Sequence, residues 1–410
     1  MNFEPTYNEK SWYTHHDPKP PKDYNPYNDN PSVIEEVCKE NAGRLGGTSP
    51  LSWESPQAFG MRRAYEDTLI KSSTLTMVKN TGGSVSLILL LVLLLMNSLS
   101  SAATGFLTII SEQYTNLFAF ALMALQYVAL FPIVFYIATV GNKNKSLTYF
   151  KKTQISKFYT FRWIIIILGI TYATAIVFNL LFTALESLGI HTNDLSSPLP
   201  TTNIERIVFG ITVVILAPIF EEILFRGILL TKLSRYGGWF AAITTGVLFG
   251  LFHQNTQQLF FATAFGILAG FITLRAKSIY PSLIAHICLN GYSFLTTLLL
   301  SFADNGAEYV AGATDSLEGS AALIGAIGIL DLLLFVVIII GIIMLIVEAT
   351  TNKSQFALPK SDSGLRIGEK FLSFALHPLS LVLFLVIISN IITYSFLDME
   401  AMLQSLEQMA

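Results

Sequence analysis

The chain has 410 residues, 52% of them hydrophobic and 13% charged, with a mean hydropathy of +0.56; ordinary soluble domains carry about twice that charged share. This composition excludes an ordinary soluble globular domain and predicts a polytopic membrane protein, whose first partner is the lipid bilayer. A net charge of −3 leaves no basic field for nucleic acid, and two cysteines, Cys38 in a polar tail and Cys288 in an apolar segment, suggest neither a disulfide framework nor a zinc cluster.

The first segment, residues 1–82, is rich in Pro, Asn, Tyr and Asp and has no apolar core of a signal peptide, so it is expected to be retained. It cannot bury enough apolar surface to offset ordering and is predicted to be a mostly disordered cytoplasmic tail, with a short helix in "SWESPQAFGMRRAYEDTLIKS". Apolar runs then follow at 84–110, 117–140, 161–185, 207–230, 239–254, 258–274, 279–302, 321–347 and 374–397. A span needs ~20 apolar residues, so the expected fold is all-α, a transmembrane helix bundle of about nine spans. The fifth and sixth runs are short, joined by the polar turn "HQNTQQ", and are expected to form a hairpin that crosses only partly. Four sections follow from this order: the tail 1–82, N-terminal spans 83–202, a charged central section 203–302 and C-terminal spans 303–410.

Lys and Arg concentrate in alternate loops: Arg62, Arg63, Lys71 and Lys79, then Lys143, Lys145, Lys151, Lys152 and Lys157, whereas "DNGAEYVAGATDSLEGS" is acidic. By the positive-inside rule the N-terminus is cytoplasmic and the C-terminus outside, in a multi-pass protein expected in the cell membrane.

Ionisable groups inside a bilayer are costly and mark sites by default. Here they are Glu221, Glu222 and Arg226 in "APIFEEILFRGILL", His253 at the end of the fifth run, His286 in the seventh and Asp331 in the eighth. Residues four apart share a helical face, so Glu222 and Arg226 can neutralise each other. Glu221 points elsewhere with no cation on its own helix, which suits a carboxylate that takes up a proton as a general base. Pro218 is expected to kink the helix and open room beside it. His286 and Asn290 also stand four apart. Together these groups form a hydrolytic inventory, a base with a partner to hold water and neutral donors to receive an oxyanion. Taken singly, the Glu-Arg pair reads as a helix lock and each histidine as a packing residue, and Asp331 reads as a structural hydrogen-bonding group.

These residues resemble the motifs of the CPBP intramembrane protease family, also called Abi, which includes the type II CAAX prenyl endopeptidases. Two glutamates, three residues and an arginine match Glu221, Glu222 and Arg226; Phe, three residues and His match Phe249 and His253; His, three residues and a polar residue match His286 and Asn290. The resemblance covers Asn203 to Phe302 and implies an intramembrane endopeptidase acting on peptide or lipidated, CAAX-like peptide substrates. It implies that Glu221 and His253 activate water, that His286 and Asn290 stabilise the oxyanion, and that Glu222, Arg226 and Phe249 shape the site.

Members of the family are commonly called metalloproteases, yet no HExxH or HxxxH pair occurs here. A zinc ion would have Glu221, His253 and His286 as ligands. The sequence reading favours glutamate-dependent hydrolysis without a cofactor, with zinc as the alternative. Two other functions draw on the same groups: a proton-coupled transporter using them as a relay, and a non-catalytic peptide-binding or immunity protein. Depth raises a difficulty. At ~1.5 Å per residue, Glu221 lies about 13 Å from the Leu230 end of its run and His253 about 21 Å from Trp239, a mismatch of ~8 Å.

Overall fold

The computed structural model describes residues 56–107, 115–139, 149–188, 199–310, 316–361 and 363–396. The tail 1–55, with Cys38, His15 and His16, lies outside the described residues, as do His191 and most of the loops around 141–148 and 311–315. Among the described residues there are ten main helices and no strand, in agreement with an all-α bundle. They are α1 (Pro56–Leu107), α2 (Thr115–Thr139), α3 (Lys157–Ser187), α4 (Asn203–Ser234), α5 (Gly238–Phe252), α6 (Thr256–Ala276), α7 (Tyr280–Val310), α8 (Ser316–Thr351), α9 (Ile367–Ala375) and α10 (Pro378–Phe396).

The chain divides into two compact units. The first takes the chain up to Met77 together with 362–365. Its described part is helical from Pro56, and where a short helix is expected the chain enters the 52-residue α1; the Ser72, Ser73 and Thr76 hydroxyls bond back to carbonyls three or four residues earlier. The second unit, from Val78 onward, holds all the remaining helices and the charged constellation.

Among the described residues seven helices are long and apolar enough to cross a membrane, or eight if α9 and α10, bent by 83°, form one span. The protein is therefore an integral, multi-pass membrane protein. The fifth expected run is α5, whose 15 residues reach about 22 Å at ~1.5 Å per residue, short of a hydrocarbon core of roughly 30 Å. The last expected run divides because Pro378 cannot continue a helix and disfavours helical geometry at His377 before it. The His377 carbonyl and ring then accept from Ser380 and Leu379 N–H groups and start α10.

Local chemistry sets the ends of the central helices. Thr202 caps α4 in a capping box with Glu205, whose carboxylate accepts from the Thr201 and Thr202 N–H groups at 2.7 and 3.0 Å. Gly237, at φ 120°, makes the reversal into α5 that side chains resist. The Asn255 side chain caps α6, accepting from Gln258 N–H at 2.8 Å.

Helices α5 and α6 pack through glycines, since a Cβ at Gly250 would lie 2.4 Å from the Leu259 carbonyl oxygen and one at Gly246 would lie 2.5 Å from the Ile267 nitrogen. Both obstacles are backbone, which cannot swing aside. Gly250→Val is therefore expected to cost about 3 kcal/mol or more, the upper end for overpacking, read as a lowered melting temperature in detergent. An unchanged melting curve would show that this hairpin can spread without loss.

Within α4 the backbone widens twice into π turns, at Thr212–Leu216 and Ile223–Leu229, on either side of the short α stretch Ala217–Glu222. The first is the form in which Pro218 acts. Ala217 N–H reaches back five residues to the Thr212 carbonyl, and Pro218 has no N–H to offer Val213. Such bulges collect at functional sites because they turn side chains out of the regular α register.

Candidate active site

Helix α4 supplies the centre of the site. Glu222 and Arg226 are buried on one face, with Arg226 Nη1 2.9 Å from Glu222 Oε1. The angle makes this an ion pair without hydrogen-bond geometry, and Arg226 Nε and Nη1 have no hydrogen-bond partner. The cation is instead wrapped by rings, with its guanidinium carbon 4.5 Å from the Phe249 centroid and 5.3 Å from that of Phe265. Nη2 reaches the Gly266 carbonyl at 3.5 Å. The expected pairing of Glu222 with Arg226 is thus present, inside an aromatic cage.

Glu222 gathers two further donors. Ser282 Oγ donates to its Oε2 at 2.7 Å and is itself 3.0 Å from Thr273 Oγ1. His286 Nδ1 lies 3.1 Å from its Oε1. Beside the guanidinium, Glu222 as a carboxylate accepts only, so His286 donates from Nδ1. In the neutral ring that leaves Nε2 with a bare lone pair. Nε2 faces Glu221 Oε2 at 3.7 Å.

Glu221 is 6% exposed, and its Oε2 has no hydrogen-bond partner. Its separation from His286 is too long for a direct hydrogen bond and short enough for a water to touch both. Such a water would give one hydrogen to each acceptor and turn its lone pairs outward. From α2, the Tyr127 ring packs edge-on against Phe220, the residue before Glu221, at 5.5 Å.

The imidazole in ion-pair range of Glu221 is that of His286. His253 caps α5 and directs Nδ1 to the Phe249 carbonyl at 2.8 Å, with its ring edge-on to Phe249 at 5.0 Å. His253 stands at the C-terminal end of α5, whereas His286 lies near the start of α7. Phe249 bridges the two histidines, with its ring 5.7 Å from that of His286.

Asn290 shares α7 with His286, and its Nδ2 donates to the Val213 carbonyl at 2.9 Å. That carbonyl is the acceptor orphaned at Pro218, so the carboxamide supplies the hydrogen bond the proline cannot, and one N–H remains for another acceptor. Asp331 accepts from the Tyr292 hydroxyl at 2.7 Å, the structural role expected of it, and Cys288 is a free, exposed thiol.

Sequence reasoning missed Ser282, which had a signal, since it stands four residues before His286 and so on the same face.

Among the described residues no group of three or more His, Cys, Asp and Glu is arranged to hold a metal ion. The His253 and His286 rings both keep Nε2 after their Nδ1 contacts, but of Glu221 and these two it is Glu221 and His286 that come within ion-pair range of each other. A zinc set of Glu221, His253 and His286 does not fit this arrangement.

Residues 203–292 match the family model for type II CAAX prenyl endopeptidase Rce1-like proteins. A stretch of 85 residues, 20% of this chain, is 33% identical to "Putative membrane peptidase YdiL" of Bacillus subtilis (strain 168). The match spans 35% of that relative, about a third of its length. No solved structure matches the chain.

Proposed function

We propose, from the premise that residues 203–292 carry the CPBP-family segment, that this protein is an intramembrane endopeptidase of the CAAX type. Its substrates are membrane-associated or lipidated peptides, cut by water held between Glu221 and His286. The observation that carries this reading is the buried, unpartnered Glu221 Oε2, 3.7 Å from a His286 nitrogen whose opposite side is fixed by Glu222.

Glu221 takes a proton from the water as its oxygen bonds to the scissile carbonyl carbon. His286 orients the water through Nε2. The carbonyl oxygen becomes an oxyanion, for which the second Asn290 N–H is a donor. Glu221 then returns the proton to the leaving nitrogen, the C–N bond breaks, and a carboxylic acid and an amine result, which exchange a proton to become carboxylate and ammonium. The site opens toward the cytoplasmic side in this reading, because Lys232 and Arg275 flank the ends of α4 and α6 nearest the basic loops.

The geometry supports a division of labour between the histidines that differs from the one the family resemblance implies. With a farnesylated, internally quenched peptide ending in a CAAX box, His286→Ala is expected to lower kcat by about 10²-fold or more, and His253→Ala by less. If His253→Ala silences the enzyme and His286→Ala does not, water activation belongs to His253. The peptidase reading itself falls if wild-type protein leaves the reporter whole and membranes of cells carrying wild type or Glu221→Ala hold the same peptides.

A further inference from the structure

The turn between α5 and α6 holds a backbone form that its sequence resists. Gln254, the residue after His253, stands at φ 56° in the left-handed region, where a Cβ crowds the following carbonyl and glycine is the usual choice. Hydrogen bonds fix the chain on both sides of it. The Gln254 N–H reaches the Leu251 carbonyl at 3.1 Å, and Asn255 both caps α6 and donates from Nδ2 to the His253 carbonyl at 2.9 Å. A residue persists in such a form only where its surroundings hold it, and such positions collect at functional sites.

The hold on the Gln254 side chain comes from the last span. Asn390 is the one carboxamide in the apolar run Pro378–Phe396, ~18 Å along α10, where a polar group left without a partner is costly. Its Nδ2 donates to Gln254 Oε1, from a helix outside the segment matched to the family. Polar side chains of this kind join helices in a membrane.

The bond steadies the end of α5. His253 closes that helix, and its Nδ1 faces the Phe249 carbonyl, which only accepts. Nδ1 therefore carries the hydrogen, and the neutral ring keeps Nε2 as an acceptor. The same ring lies edge-on to Phe249, which also meets His286 at 5.7 Å. A turn that left the left-handed form would re-aim the His253 ring against this aromatic wall.

We infer that Asn390 is a positioning residue for His253, its carboxamide holding Gln254 in the left-handed turn that sets the His253 ring beside Phe249. The inference rests on the proposed peptidase reading for what the site does, and it extends the site to the last span.

Full-length protein in detergent, with nitrogen-labelled histidine, tests the contact without substrate. The ring signal of His253, identified by its loss in His253→Ala, is expected to move or broaden in Asn390→Leu. Leucine suits the apolar span, so α10 stays inserted in this variant. Adding Gln254→Gly is expected to bring the signal back, because glycine takes the left-handed form unaided. A signal that stays in place in Asn390→Leu, or that glycine does not bring back, overturns the inference. With the farnesylated reporter, Asn390→Leu is expected to lower kcat/KM by about 3- to 10-fold, the worth of a neutral hydrogen bond, and by less than about 2-fold when His253 is already alanine. Equal losses with and without His253 overturn the inference, since a general loosening of α10 would act in both. If wild type leaves the reporter whole, the peptidase reading is what fails, and the histidine signal still decides whether Asn390 holds His253.

Discussion

Glu221→Gln is expected to leave a folded protein that cleaves the farnesylated reporter about 10²- to 10⁴-fold more slowly than wild type, the range a positioned general base contributes. The amide keeps the size and hydrogen-bonding shape of the carboxylate but cannot take a proton from water. Stability should be retained or rise. Glu221 is 6% exposed with a bare Oε2, and holding a carboxylate there costs more than holding a neutral amide. Glu222 would behave in the opposite way, because its charge is matched by Arg226, Ser282 and His286. Reporter cleavage and a detergent melting curve on the same preparation read both effects. Cleavage at the wild-type rate would remove Glu221 from the chemistry.

The contrast between adjacent glutamates was legible in the sequence, since four-residue spacing pairs Glu222 with Arg226 and leaves Glu221 facing elsewhere. The spans were legible for a similar reason. In lipid every backbone group must be satisfied within a helix, so apolar runs of sufficient length have one outcome. What could not be read depends on departures from regular helix geometry and on contacts between helices. The π turn at Thr212–Leu216 follows from Pro218, yet its partner is Asn290, 77 residues later. Spacing alone placed Asn290 beside His286 and gave no sign that its carboxamide also serves a carbonyl on α4. For His253 the count at ~1.5 Å per residue left an ~8 Å difference in depth to be absorbed by tilt, by the kink at Pro218 or by where α5 starts, and spacing alone could not say which.

The Glu222 cluster links stability to function, because the carboxylate that neutralises Arg226 also fixes the tautomer of His286. Arg226→Met is expected to cost about 3–5 kcal/mol, the loss from breaking a buried pair, since Glu222 is fully buried and would keep its charge with only a serine and an imidazole beside it. The variant should melt at lower temperature and accumulate poorly in membranes. Adding Glu222→Leu removes the stranded charge and replaces the pair by apolar groups of similar volume, a change that is often neutral or stabilising. The double variant should therefore recover most of the lost stability. It should not recover cleavage, because His286 Nδ1 no longer has the acceptor that keeps Nε2 free for water. Recovery of fold without activity would assign the cluster its second role. A double variant that cuts the reporter at the wild-type rate would show that Glu222 and Arg226 serve the fold alone.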